Sequence, residues 1–369
     1  MEEVKSHPFL LATLEYPPQV GGVASFCAQV VKALPDNSLQ VVTNQGHALL
    51  SKIIWPRWIK AVKTLYQLTL KTQAKGIIVA QVLPLGTAAL VVRQFTHIPV
   101  HIMVHGLDVL GPQHTWRKKV LLKWVLSSAQ SVIANSRYTA NLVEQLGVSP
   151  KKVTILPLGP HIQPSLDMQI DYTWLGSLGI EPRDTVVLCA ARLVRRKGID
   201  QVIQVWPEVK KKFDKPLKLV IAGDGPDRTR LEHLASVSGQ QTSIIFTGAV
   251  SDEQLKQLFA RAYCFVLPTR EEPGGDVEGF GIVFLEANAF GKPVVGGKSG
   301  GVPDAIVDGL NGYLVEPNSL PMLLKAILSL LEHPELAEKM GLQGKQRVLS
   351  QFNWETNVRL LAEQIGIPI

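Results

Sequence analysis

The sequence predicts an α/β protein of two Rossmann-like domains facing a cleft, and three observations carry that expectation. Apolar runs of strand length alternate with helical patterns along the whole chain. The length of 369 residues suits two domains better than one. Residues 157–184 (PLGPHIQPSLDMQIDYTWLGSLGIEPRD) are rich in proline and glycine and lack sustained periodicity, as a linker does, and they fall near the middle. The expected domains are residues 1–172 and 173–349.

Composition narrows the classes. A hydrophobic fraction of 46% with 19% charged residues is ordinary for a globular chain. The start, MEEVKSH, is acidic and not that of a secretory signal. The apolar run Ile77 to Val92 is broken by Pro84 and Gly86 and falls short of the ~20 residues of a spanning helix, so it reads as strand, turn and packed helix. Cys27, Cys189 and Cys264 are odd in number and show no metal-ligand spacing, which points to a reducing cytosol and no structural zinc. Residues 1–172 hold sixteen Lys and Arg against eight Asp and Glu, a surplus of +8 within a total of +7. That asymmetry points to an anionic partner for the first domain.

In chain order, His7 to Glu15 reads as the first strand. Gln19-Val20-Gly21-Gly22 then leads into a helix from Val23 to about Leu34. Gly21 and Gly22 either offer amides to a phosphate or make a plain turn. Leu39 to Thr43 is a short strand, and Trp55 to Lys71 a basic amphipathic helix. Trp116-Arg117-Lys118-Lys119 with Lys123 and Trp124 repeats that character. These segments suit either an anionic membrane surface or a solvated face with the tryptophans in the core. No nucleic-acid reading motif accompanies them, so nucleic acid is not an expected partner. Val100 to Val104 is a strand that delivers His105-Gly106-Leu107-Asp108 to its carboxyl end, where open α/β sheets bind ligands. Ser131 to Asn135 and Val153 to Leu156 complete the first sheet, with Ser136 capping a helix between them.

The second domain opens with strand Thr185 to Ala190 and the basic loop Ala191 to Gly198. Arg192 and Lys197 suit a diphosphate clamp, one a forked donor and the other a mobile point charge. Strands at Leu217 to Ala222 and Ile244 to Thr247 follow, and helices near 319–332, 334–349 and 353–365 end the chain.

The most informative stretch is Leu267 to Val315. Glu278 lies in a loop, Gly279-Phe280-Gly281 follows, Ile282 to Phe290 reads as a packed helix, and Glu286 comes eight residues after Glu278. First-turn N–H groups lack helical partners, so such a loop makes an anion site. A carboxylate on either side suits sugar hydroxyls flanking a diphosphate. This reading places Glu278 on the sugar and Glu286 on the ribose of a nucleotide sugar, with the Phe280, Gly281 and Ile282 amides on the phosphates; the alternative on local grounds is a plain helix-entry turn with solvated glutamates. A nicotinamide oxidoreductase is disfavoured, because no GxGxxG follows the first strand.

EGFGIVFLEA, GKPVV and SGGVPDAIVDGLNGYLV, in that order, resemble the E-x7-E region of family 4 retaining glycosyltransferases with the GT-B fold. The resemblance implies that Arg192 and Lys197, in a matching R-L-V-x-x-K-G pattern, grip the diphosphate, and that the Gly21-Gly22 loop faces donor phosphates and acceptor. It implies that His105 contacts the transferred sugar or acceptor, with Asp108 beside it, and that the helix of residues 353–369 packs back on the first domain. It further implies a donor-phosphate oxygen as the acceptor's base. No DxD-type metal motif accompanies the site, so no metal is expected, and no cofactor beyond the nucleotide sugar. DVEGFGIVFLEA is most similar to mannosyltransferases that take GDP-mannose and extend membrane-anchored glycolipids. The expected acceptor is therefore a glycolipid or glycan, and the expected location cytoplasmic, peripheral at the inner membrane face. A UDP-sugar transferase, a GT-B epimerase or phosphorylase, and a non-catalytic sugar-nucleotide binder are the alternatives.

Overall fold

The structure is a computed structural model, and it describes residues 9–19, 22–52, 55–165 and 167–367. Two compact units divide it, Met1–Leu158 with Asn353–Ile369, and Gly159–Phe352.

The first unit is built on six parallel strands: β1 (Phe9–Thr13), β2 (Leu39–Thr43), β3 (Gly76–Val79), β4 (Val100–Val104), β5 (Ser131–Ala134) and β6 (Val153–Ile155), in spatial order β2-β1-β3-β4-β5-β6. β1 runs in register with β2 from Phe9–Leu39 to Thr13–Thr43, and with β3 from Phe9–Gly76 to Ala12–Val79. FLLAT, GIIV, VHIMV and SVIA are buried at every residue. Continuous apolar runs are what a sheet covered on both faces requires. His101, the second residue of β4, is accommodated by a 2.8 Å hydrogen bond between Nδ1 and Ser131 Oγ, and burial lowers its pKa to about 4. The strand order reverses between β1 and β3, so the ligand crevice of this unit lies at the carboxyl ends of those strands.

The second unit repeats the plan with β7 (Thr185–Ala190), β8 (Leu217–Ala222), β9 (Ile244–Gly248), β10 (Cys264–Leu267), β11 (Val294–Gly297) and β12 (Gly312–Val315). Their order is β12-β11-β10-β7-β8-β9, the doubly wound arrangement of dinucleotide-binding sheets. Its reversal lies between β7 and β10. The loops after those two strands, 191–198 and 268–281, thus meet at one point. Phe265 packs edge-on against Phe284 at 5.6 Å and tilted against Phe259 at 5.8 Å, fixing the Ile282–Ala289 helix to β10.

Several expected boundaries shift. The helix expected from Trp55 begins at Ile59 and runs to Thr72, after a turn in which Ile59 N–H reaches the Pro56 carbonyl. His7 and Gly21 lie outside the described residues, and the first strand covers Phe9–Thr13. The division expected at 172/173 falls at 158/159. Residues 159–172 have a linker's composition, but side chains of the second unit satisfy their backbone. Glu286 accepts Ile162 N–H at 3.2 Å and Gln257 accepts Asp171 N–H at 2.8 Å. Asp171 caps an unexpected short helix, Tyr172–Ser177, by accepting from Thr173 and Trp174. At the other end, Asn353 caps the helix Trp354–Ile365, whose Val358, Leu361 and Ala362 are buried in the first unit. Asn357 Nδ2 donates to the Pro157 carbonyl at 2.9 Å.

Candidate functional site

The loop after β7 closes with a turn over Arg195–Lys197, ended by Gly198 at φ +69°. A Cβ on Gly198 would stand 2.0 Å from the Pro268 carbonyl, so only glycine lets this turn reach the end of β10. Arg270 N–H donates to the Arg196 carbonyl at 2.8 Å, joining the two loops across the point where strand order reverses. The loop bearing Glu278 is supported from its other side by residues 299–301. Gly301 N–H donates to the Glu278 carbonyl at 2.9 Å, and a Cβ on Gly300 would stand 2.1 Å from that same oxygen.

This support places Glu278 between two cations. Its Oε2 takes an ion pair from Lys197 Nζ and another from Arg196 Nη1 at 2.7 Å. Arg196 Nε reaches Asp276 Oδ1 at 3.0 Å. Only 15% of the Glu278 side chain is exposed. Burial alone would raise its pKa, but the charges of Lys197 and Arg196, with their hydrogen bonds, outweigh it and hold the carboxyl below its ordinary range. Arg270 is anchored alongside by Asp200 at 2.9 Å and Glu272 at 2.6 Å.

Three residues after Glu278, Gly281 takes a left-handed conformation at φ +87° and opens the Ile282–Ala289 helix. Phe280 is buried against Phe352, so the Phe280–Ile282 main chain is tied to the core. The first-turn amides and the helix dipole lie directly after the Glu278 cluster. Glu286, one turn further on, is buried and accepts the Ile162 N–H. Burial raises its pKa to about 7, against the lowering effects of the Ile162 amide and the charge of His161.

In the first unit, His105 follows β4 and Gly106 turns the chain at φ +102°. Asp108 Oδ1 accepts His105 N–H at 2.8 Å, which makes this carboxylate the support of the turn. Burial raises Asp108 to about 6. Burial also lowers His105 to about 4, so its ring is neutral at pH 7. The Ala80 carbonyl hydrogen-bonds the ring, while Nε2 is buried with no hydrogen-bond partner among the described residues. A carbonyl only accepts, so the nitrogen facing it carries the proton and Nε2 keeps the lone pair. Phe26 stands edge-on to this ring at 5.4 Å and packs on Trp354 at 5.7 Å. Gly22 begins the helix Gly22–Ala33 with open space where a Cβ would project.

The structure therefore brings Lys197 and Glu278 together and sets Glu286 in the adjoining helix. Arg192 is exposed, and its side chain makes no hydrogen bond or ion pair among the described residues. Sequence reasoning missed Arg196 and Asp276. Arg195 and Arg196 look alike in the run RRK, and only the turn's register draws one partly inward and leaves the other exposed. The tryptophans of the basic segments are not in the core: Trp55 is 87% exposed, Trp116 71% and Trp124 46%, with Trp58 alone packed against it.

Residues 173–347 match the family of glycosyl transferases group 1, and residues 20–162 match glycosyltransferase family 4. The chain is 34% identical over 252 residues to a Mycolicibacterium smegmatis protein named GDP-mannose-dependent alpha-(1-6)-phosphatidylinositol monomannoside mannosyltransferase, covering 67% of this chain and 65% of that one. The like-named Mycobacterium tuberculosis protein is 39% identical over 182 residues, 49% of this chain and 47% of that one. The match thus spans less than two thirds of either relative. A Corynebacterium glutamicum protein named as the corresponding enzyme for the monoacylated lipid is 27% identical over 370 residues, 95% of each chain. Among solved structures, Anabaena HepE in complex with UDP-glucose aligns with a TM-score of 0.79 at 20% identity, covering 98% of this chain and 100% of that one. Sucrose-phosphate synthase from Thermosynechococcus elongatus aligns at 0.78 and 21%, over 97% and 98%. These two likenesses show a shared fold. With one family matched on each half, the chain belongs to the family 4 glycosyltransferases of GT-B fold.

Proposed function

We propose that this protein is a retaining mannosyltransferase that moves mannose from GDP-mannose to a glycolipid acceptor. The observation that carries the reading is the buried Glu278 carboxylate, held charged by Lys197 and Arg196 beside the amides that open the Ile282 helix. A diphosphate seated on the Phe280, Gly281 and Ile282 amides draws Lys197, and Arg192 from the solvent, towards its oxygens. Departure of the nucleotide builds charge on the β-phosphate, and donors fixed there bind it more strongly in the transition state than in the ground state. Glu278 grips the sugar and Glu286 the ribose. His105, with a neutral Nε2 lone pair, accepts from a hydroxyl of the transferred sugar or acceptor, and Gly22 offers its amide to phosphate. A donor-phosphate oxygen takes the acceptor's proton on the same face. Lysine and arginine supply the positive charge here, so the reaction runs without a metal. Mannose and GDP are favoured by the names of the mycobacterial and corynebacterial relatives. A UDP-sugar is the second reading, favoured by the HepE likeness.

The acceptor side draws on the basic surface of the first unit. Helix Trp116–Ser128 exposes Trp116, Val120, Leu121 and Trp124 beside Arg117, Lys118, Lys119 and Lys123. Exposed tryptophans among basic residues suit an anionic bilayer, where a lipid-anchored acceptor resides. No helix among the described residues is long and apolar enough to cross a membrane, so contact would be peripheral.

Four measurements test the reading. Mannosyl transfer from GDP-mannose, faster than transfer from UDP-glucose, should fall at least about a hundredfold in Glu278→Ala with the fold intact, whereas a loss of about threefold or less would remove under ~1 kcal/mol of transition-state binding and refute the role. Glu286 is protonated in the free protein below about pH 7. Its hydroxyl-accepting form is lost as pH falls, so affinity for GDP should drop below that pH, and Glu286→Gln should weaken it about tenfold at pH 8. Because folding raises this pKa from 4.5, the stability linked to it is present below 4.5 and lost as pH rises through about 7. Glu286→Gln should therefore raise Tm at pH 8 and change it little at pH 4.5, and GDP affinity flat across this range would contradict the assignment. Finally, sedimentation should show binding to vesicles containing phosphatidylserine and none to neutral ones, with Lys118→Gln plus Lys119→Gln weakening it about thirtyfold at ~1 kcal/mol per charge. Equal binding to both vesicle types would exclude the membrane role.

A further inference from the structure

The run Arg195-Arg196-Lys197 places three cations in one turn, and they behave differently. Arg195 is exposed. Lys197 and Arg196 converge on the same oxygen, Oε2 of Glu278. Among the described residues they are the charged groups in contact with that carboxylate. Their attachments differ in kind. Lys197 carries a point charge on a flexible stem. Arg196 is tied on three sides: Nη1 to Glu278 at 2.7 Å, Nε to Asp276 at 3.0 Å, and its own carbonyl to Arg270 N–H at 2.8 Å. Asp276 and Glu278 lie two residues apart on one loop, so the guanidinium bridges that loop to the end of β7.

A single ammonium cannot serve Glu278 and an incoming diphosphate at full strength. If Lys197 were the only counter-charge, donor binding would strip Glu278 of it, and burial would then favour the protonated acid. A second cation that stays behind avoids this. We propose that Arg196 is the positioning residue of this site, holding the Glu278 carboxylate in place through its bridge to Asp276 while Lys197 turns from Glu278 to the diphosphate. The inference rests on the transferase reading above and goes beyond it, since it separates two neighbouring cations into one that moves and one that stays. Arg196 itself does not touch the donor.

The test compares wild type with Arg196→Met, Arg196→Lys, Asp276→Asn and Lys197→Met in steady-state transfer from GDP-mannose, with GDP binding followed by calorimetry. Arg196→Met should lower kcat about thirtyfold or more, leave the donor KM and the GDP Kd within about threefold, and move the acidic limb of the kcat–pH profile up by about one unit or more. Arg196→Lys should recover part of kcat and return the limb towards wild type. Lys197→Met should weaken GDP binding about tenfold or more as well as lowering kcat, a loss in Kd that Arg196→Met does not share. The Asp276 side chain is 47% exposed, so Asp276→Asn leaves folding intact. It should lower kcat about fivefold with the limb again moved up. An Arg196→Met enzyme with kcat within about threefold of wild type, with an unmoved acidic limb, or with its loss wholly in GDP Kd overturns the proposal. Should that variant not fold, Asp276→Asn decides, and an unchanged kcat and limb there overturn it. A wild-type enzyme that behaves as a transferase with either result leaves the functional reading standing. One that binds neither GDP nor UDP overturns that reading, and this proposal with it.

Discussion

A buried carboxylate facing two cations is the constraint on which the second unit is arranged. Glu278 retains its charge at low exposure because Lys197 and Arg196 share its Oε2. Removing one partner of such a cluster leaves an uncompensated buried charge, typically worth 3–5 kcal/mol. The surroundings are correspondingly rigid. Glycine at 198 lets the cationic turn approach the Pro268 carbonyl, and glycine at 300 lets a second loop approach the Glu278 carbonyl. Each would place a Cβ about 2 Å from an oxygen if replaced by alanine. Main-chain contact of this closeness fixes the acid's position more tightly than side-chain packing alone.

The position of this cluster follows from topology. In a doubly wound sheet the strand order reverses once, and at that point two loops diverge from neighbouring strands and leave a crevice. β7 and β10 are those neighbours here, and they deliver the cations and the acid respectively. The helix opening at Ile282 then adds unpaired amides. The lysine and the amides share one sign of charge preference: an anion beside the helix start gains from the lysine and from the dipole.

Much of this arrangement is legible in the residues, and what is not has identifiable causes. β2 and β4 take the ranges their apolar runs suggest, Leu39–Thr43 and Val100–Val104; every residue of β4 is buried, while β2, at the sheet edge, keeps Gln40, Val41 and Thr43 half-buried. The helix after Gly281 is equally clear, since glycine, apolar density and a following GKPVV strand all agree. Composition misled at residues 159–172, where prolines and glycines resemble a tether but Glu286 and Gln257 claim the backbone. Register was the second blind spot. Nothing in RRK distinguishes Arg196 from Arg195 until a tight turn points one inward. Amphipathic patterning also could not say whether Trp116 and Trp124 face the core, because basic residues flank them on either reading.

The neutral ring of His105 and the elevated Glu286 show burial acting in opposite directions on a base and an acid, leaving the ring able to accept from a hydroxyl at neutral pH and the carboxylate able to do so above about pH 7. Both effects serve a sugar nucleotide only if the diphosphate sits where the Glu278 loop meets the Ile282 helix. A crystal structure of the protein with GDP-mannose bound examines that directly. The account predicts phosphate oxygens about 3 Å from the Phe280–Ile282 amides and from Lys197, with Glu278 against the mannose and Glu286 against the ribose. A nucleotide bound on another surface, with the Glu278–Lys197 pair unbroken and those amides untouched, would contradict it.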